Sequence, residues 1–130
     1  MFSKSQFIML IDDNIITLES VSEALELHGF NNHMYSDPLK AIAAYDCETY
    51  PIIIVDYNMP KMNGIEVLEK IRRKNDDAQV IIYTGSPDER IRRKIIASGA
   101  DDFYKISDIG TLFNKLKKMQ NQIWRKRNED

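Results

Sequence analysis

Cysteine is nearly absent from this sequence: Cys47 stands alone, so no internal disulfide can form. With that one thiol and only two histidines, His28 and His33, no cluster has the make-up of a zinc site. Long apolar runs are missing too. The longest, FIMLI (Phe7 to Ile11) and IIIV (Ile52 to Val55), fall far short of the ~20 residues that cross a bilayer. No basic N-region followed by a long apolar segment marks a signal peptide. No glycine-rich phosphate loop follows the first apolar run, which argues against a nucleotide binder. Internal repeats, low-complexity tracts and Gly/Ser linkers are also lacking. A single domain in a reducing cytoplasm, with no membrane segment, is the expectation for 130 residues of this kind.

What is present is ordinary for a folded domain: 43% hydrophobic and 29% charged residues. The net charge of −2 hides an asymmetry. Residues 1–60 hold only Lys4 and Lys40 against nine acids, whereas residues 61–130 hold sixteen basic residues against eleven acidic ones. The basic side chains gather at Arg90, Arg92, Arg93 and Lys94, and again at Lys115, Lys117 and Lys118. They predict either a solvated face or a docking face. Arg125, Lys126 and Arg127 are too few for a nucleic-acid site, so no direct nucleic-acid binding is expected.

Period-2 and period-3.6 segments alternate along the chain. QFIMLI reads as a buried strand, followed by a helix with Ile15, Leu18, Val21 and Leu25 on one face, Asn14 as cap and Gly29 just past its end. FNNHMYS is a weaker strand. Asp37 and Pro38 open a second helix, Pro38 at the first position where its missing N–H costs nothing. PIIIVD is a third strand, and Ile65, Leu68 and Ile71 line a third helix from about Gly64 to Lys74. AQVIIYTG is a fourth strand. Ser86 and Pro87 repeat the capping device before a helix carrying Ile91, Ile95 and Ile96 and ended by Gly99. DDFYK is a brief fifth strand. The last helix, from about Asp108, sets Ile109, Leu112, Phe113, Leu116, Met119 and Ile123 on one side, and WRKRNED then frays. Five β-then-α units predict an α/β fold, a doubly wound parallel sheet with helices on both faces, with the flavodoxin-like order 2-1-3-4-5 among the few topologies allowed.

In such a sheet the carboxyl ends of the strands share one edge, where ligands bind. Strand one ends in Asp12-Asp13, strand three in Asp56, strand four in Thr84-Gly85 and strand five in Lys105. Three carboxylates crowded together repel, and a hard divalent cation such as Mg²⁺ relieves that repulsion. The set suits phosphoryl transfer onto a carboxylate, with Asp56 as nucleophile and Mg²⁺, Lys105 and the Thr84 hydroxyl neutralising the transferred oxygens. Gly85 leaves room for backbone to approach a phosphate. Taken singly, each of these residues is a helix cap, a strand end, a turn or a surface lysine.

Together, Asp12-Asp13, VDYNMPKMNG, IIYTG, SGADDF and Lys105 resemble the receiver domain of two-component response regulators, in a chemotaxis-regulator-like form, from about Gln6 to Gln122. The resemblance implies residues 1–124 as the receiver and 125–130 as a charged tail or start of a linker. It implies that Asp56 accepts a phosphoryl group from a histidine kinase or a histidine phosphotransfer protein. It also implies Mg²⁺ (or Mn²⁺) held by Asp13, Asp56 and the Asn58 backbone carbonyl, with Asp12 acting through water. Thr84 and Lys105 match phosphate-contacting positions, and Asn58 and Ser86 match positions that tune phosphoryl lifetime. The implied activity is a phosphorylation-dependent switch that catalyses its own phosphotransfer and slow dephosphorylation, not an enzyme in the usual sense. It alters the face formed by the fourth helix, the fifth strand and the last helix for a downstream partner, an output domain or homodimerisation.

Two departures stand out. Ile106 follows the lysine where the family usually has proline, so a trans Lys105–Ile106 bond and a rearranged loop between the fifth strand and the last helix are expected. The strand before Lys105 is one residue short, which leaves Phe103 and Tyr104 as rival candidates for the switch aromatic. Two alternative functions are a phosphate-independent pseudo-receiver and a phosphohydrolase with an aspartyl intermediate. The latter is disfavoured because Asn58 cannot act as the general acid of an Asp-x-Asp pair.

Overall fold

The computed structural model describes residues 5–85 and 88–128. Strand and helix alternate five times: β1 (Ile8–Ile11), α1 (Ile15–Leu27), β2 (Asn32–Tyr35), α2 (Pro38–Ala44), β3 (Ile52–Asp56), α3 (Gly64–Lys74), β4 (Gln79–Thr84), α4 (Glu89–Ala97), β5 (Asp102–Lys105) and α5 (Ile109–Asn128). All neighbouring strands are parallel, in the order β2-β1-β3-β4-β5. The unbroken apolar runs are the three central strands, covered on both faces as a parallel sheet requires. Weakly apolar β2 is an edge.

Side-chain alternation divides the core in two. Ile8, Leu10, Ile52, Ile54, Ile81, Tyr83 and Tyr104 pack with α1 and α5. Met9, Ile11, Ile53, Val55, Val80 and Ile82 pack with α2, α3 and α4, and Phe103 leans against this second layer. The helix signals act as expected at most ends. Asn14 accepts from the Thr17 amide, Asp37 from that of Leu39 with Pro38 at the first turn, and Asn63 forms a capping box with Glu66. Gly29 and Gly99 end α1 and α4 at φ +83° and +87°, a region that side chains resist.

Four expectations need correction. The proposed Ser86-Pro87 cap lies outside the described residues, and the side chain that caps α4 is Asp88, accepting from the Arg90 amide at 2.9 Å. Ile15 is exposed rather than core, Val67 joins the buried face of α3, and Ile96 is exposed. The last helix begins at Ile109, as read to within a residue, after a 3₁₀ turn at Ile106–Asp108. It runs straight through Trp124 to Asn128 instead of fraying. No cis peptide occurs among the described residues, so Lys105–Ile106 is trans, and the 3₁₀ turn is the form taken by the β5–α5 connection.

The short fifth strand is accommodated at its start. In an even parallel ladder the Val80 amide would reach the Gly99 carbonyl, because Val80 O already accepts from the Asp101 amide at 2.9 Å. Instead the Gly99 carbonyl accepts from Arg72 Nη1 at 2.6 Å, and Asp101 Oδ2 takes the Val80 amide at 2.7 Å. A side-chain carboxylate thus fills one rung of the ladder. Arg72 Nη2 donates to the same Oδ2 at 2.7 Å and to the Ala78 carbonyl at 3.2 Å, fastening the turn before β5 to α3.

Candidate functional site

At the carboxyl edge of the sheet a cavity of about 400 Å³ opens between β1, β3 and β4. Asp12, Asp13, Asn14, Thr17, Asp56, Asn58, Tyr83, Gly85 and Ile106 line it. One carboxylate oxygen from each of Asp12, Asp13 and Asp56 lies within 4.8 Å of the others. The three differ sharply in exposure: Asp12 is buried, Asp56 half-buried and Asp13 exposed.

The strand period explains the arrangement. Continuing the alternation of β1 and β3 puts Asp12 and Asp56 on the α1/α5 side of the sheet, and Tyr83 stands on that side in register with Asp56. The Tyr83 hydroxyl passes behind Asp56 and donates to Asp12 Oδ2. Asp12 Oδ1 accepts the Asn14 amide at 2.9 Å, so both oxygens of Asp12 are held from within the protein. Burial, then the hydrogen bond and charge of Asp12, holds the Tyr83 hydroxyl well above the usual phenol range, which keeps it a donor.

Asp56 is the perturbed acid. Burial first, then the charge of Asp12, pushes its carboxyl up to about 7 against the opposing hydrogen bond from the Asn58 amide at 3.1 Å. The Asn58 side chain turns the other way and donates from Nδ2 to Thr84 Oγ1 at 3.1 Å. Asn58 therefore ties the acid of β3 to the buried hydroxyl of β4.

Lys105 stands opposite Thr84 in the β4–β5 register. Its side chain is exposed, does not line the cavity and pairs with no carboxylate among the described residues. The two candidate aromatics separate cleanly. Phe103 lines a groove of about 320 Å³ with Arg92, Ile95, Ile96 and Ala100 of the α4 side, whereas Tyr104 is buried on the α1/α5 side with its ring 5.3 Å from that of Tyr83. Ser86 lies outside the described residues.

Sequence reasoning missed Tyr83, although a phenol inside an aliphatic central strand is itself a signal, since a buried hydroxyl needs a partner. It also passed over the tight packing at Gly64. A Cβ on Gly85 would meet only Ile106 Cγ2, at 3.8 Å, an ordinary contact. A Cβ on Gly64 would press the Asp56 carbonyl at 3.0 Å and Tyr57 Cα at 3.2 Å. Gly64→Ala is therefore expected to destabilise the protein by about 1–3 kcal/mol in urea unfolding, whereas Gly85→Ala should cost under about 1 kcal/mol.

The sequence and the fold match known proteins. The family model of the response regulator receiver domain matches residues 8–117. The chain is 36% identical over 98 residues to a cyclic di-GMP phosphodiesterase of Thermotoga maritima, covering 75% of this chain and 26% of that protein. It is 36% identical over 95 residues to a CpxR homolog, a transcriptional regulatory protein of Haemophilus influenzae, covering 73% and 41%. The chain thus spans less than half the length of these relatives. Among solved structures, chemotaxis protein CheY4 of Vibrio cholerae superposes with TM-score 0.76 at 23% identity, covering 88% of this chain and 98% of that one. Response regulator TrrA of Thermotoga maritima, in complex with Mg(2+)-BeF, superposes with TM-score 0.78 at 27% identity over the same shares. The chain belongs to the response regulator receiver domains of two-component signalling. Among the described residues no helix is long and apolar enough to cross a membrane.

Proposed function

We propose that this receiver is a phosphorylation-dependent switch in which Asp56 takes a phosphoryl group from the phosphohistidine of a sensor kinase or a phosphotransfer protein. The observation that carries the proposal is the convergence of the Asp12, Asp13 and Asp56 oxygens within 4.8 Å at an open cavity. The metal-bound state of TrrA supports it by family likeness. Oxygens on one octahedral Mg²⁺, bound at about 2.1 Å, lie roughly 3–4 Å apart, so small rotations bring this set into reach. Asp13, Asp56 and the Asn58 carbonyl would hold Mg²⁺ or Mn²⁺ directly, and Asp12 through water. The ion, when bound, offsets the crowded carboxylate charge and that of the incoming phosphoryl oxygens.

The protein's own groups do the rest. An Asp56 oxygen attacks phosphorus in line as the phosphorus–nitrogen bond of the donor breaks, and the donor imidazole keeps the electron pair. The Asp56 carboxyl must be ionised to attack; burial and the charge of Asp12 oppose that in the metal-free site, and a bound cation would favour it. Thr84 Oγ1 then turns to the new phosphoryl oxygens, which requires release of the Asn58 side chain. Lys105 swings in from solvent to the same oxygens. Phe103 is the aromatic positioned to repack, since it borders the α4 groove and Tyr104 does not. The altered α4–β5–α5 face would engage a downstream protein, an output domain or a second copy, in the cytoplasm. Residues 1–124 form the receiver unit in this proposal, with 125–130 as its tail or linker.

Incubation with Mg²⁺ and acetyl phosphate, read by intact mass, should give an adduct of about 80 Da that Asp56→Asn abolishes. An adduct that survives that substitution, or none in the wild type, would overturn the assignment.

A further inference from the structure

The hydroxyl of Tyr83 has a role that the phosphoryl-accepting chemistry does not by itself require. Tyr83 is 2% exposed, sits on the central strand β4 and reaches past β3 to the carboxylate that ends β1. A buried phenol at that place could have been an aliphatic residue like its neighbours Ile81 and Ile82. The hydroxyl is satisfied by one acceptor, Asp12 Oδ2, while the Asn14 amide holds Oδ1. Each carboxylate oxygen retains a further lone pair, so Asp12 can still accept from water while its orientation is set.

Tyr104 supplies the contrast. It is 3% exposed, tilts 31° against Tyr83, and its hydroxyl has no hydrogen-bond partner among the described residues. Two phenols thus stand side by side under one acidic pocket, and only one is bonded to it.

We propose that Tyr83 is a positioning residue of the acidic pocket, fixing Asp12 by its hydroxyl so that Asp12 serves the divalent cation through water while Asp13 and Asp56 bind directly. The inference rests on the cation-binding part of the proposed function. Partners that orient ligating carboxylates are worth about 10-fold or more in metal affinity, and Tyr83 acts on the ion only through Asp12.

Calorimetric titration of the unphosphorylated protein with Mg²⁺ tests this with no phosphoryl transfer involved. Tyr83→Phe keeps the ring and should weaken Mg²⁺ binding about 10-fold. In an Asp12→Asn background the same substitution should change affinity less than about 2-fold, because its route to the ion is already cut. Tyr104→Phe removes the unbonded hydroxyl and should leave affinity within about 2-fold of wild type. Unchanged or tighter binding by Tyr83→Phe, or equal losses in both backgrounds, would overturn the positioning role alone. A wild-type protein that takes up no Mg²⁺ would overturn the cation site itself and this inference with it. Should Tyr83→Phe fold poorly by near-ultraviolet circular dichroism, Tyr83→Met, also without a hydroxyl, is expected to show the same background-dependent loss.

Discussion

Metal-free wild-type protein should be about 2 kcal/mol less stable at pH 8 than at pH 4 relative to Asp56→Asn. The carboxyl of Asp56 moves from an ordinary value of 3.8 up to about 7 on folding, first through burial and next through the charge of Asp12. The folded state then holds this proton more tightly than the unfolded chain does, so stability falls as pH rises between the two values. Its contribution is fully present below about pH 4, is lost through about pH 7 and is constant above. Three units would be worth about 4 kcal/mol for a fully desolvated group, and water screening at a half-buried edge site roughly halves that. Asn cannot ionise, so urea unfolding with chelator should show the variant matching wild type in acid and exceeding it at pH 8. A variant no more stable than wild type at pH 8 would mean that the carboxylates do not strain one another. Crowding of this kind is what the proposed cation would relieve on binding.

Arg72→Ala should cost about 2–3 kcal/mol, and Arg72→Lys nearly as much. One guanidinium joins the Gly99 and Ala78 carbonyls to the Asp101 carboxylate, and that carboxylate in turn stands in for a missing rung of the β4–β5 ladder. Charged hydrogen bonds of this type are worth about 1.5–3 kcal/mol, and the pair is only partly exposed. Lysine carries the charge but lacks the planar fork that spans three acceptors. Loss of the clamp should also speed amide exchange at Val80, whose N–H depends on the orientation of Asp101. A loss below about 1 kcal/mol would show that the strand start holds itself.

What could be read from the amino acids depended on how local the cause was. The three central strands declare themselves because a strand buried on both faces has no reason to alternate, and the caps at Asn14, Asp37 and Gly29 act within a few residues. The three carboxylates were legible from topology, since a parallel sheet brings its carboxyl ends to one edge. The remaining features lie across the fold. Tyr83 reads as one more apolar strand residue until Asp12, 71 positions away, is placed beside it. Arg72, in the basic last turn of α3, looks like a solvated helix-end charge until Gly99 and Asp101 arrive from the other side of α4. The missing residue before Lys105 was visible as a count, but only the Asp101 side chain shows where the deficit is absorbed.

The parity of the sheet carries one more consequence. Asp12, Asp56 and Tyr83 belong to the side backed by α1 and α5, while alternation along β4 and β5 sends Thr84 and Lys105 toward the side backed by α2, α3 and α4. Two of the acids and the neighbouring hydroxyl and amine thus rest on two different layers, joined by the Asn58–Thr84 hydrogen bond. Repacking around Leu18 or Leu116 adjusts Asp12 and Asp56, and repacking around Ile95 adjusts the hydroxyl and the amine. On the proposed function, cation affinity and signal readout would then drift separately, one helix layer at a time.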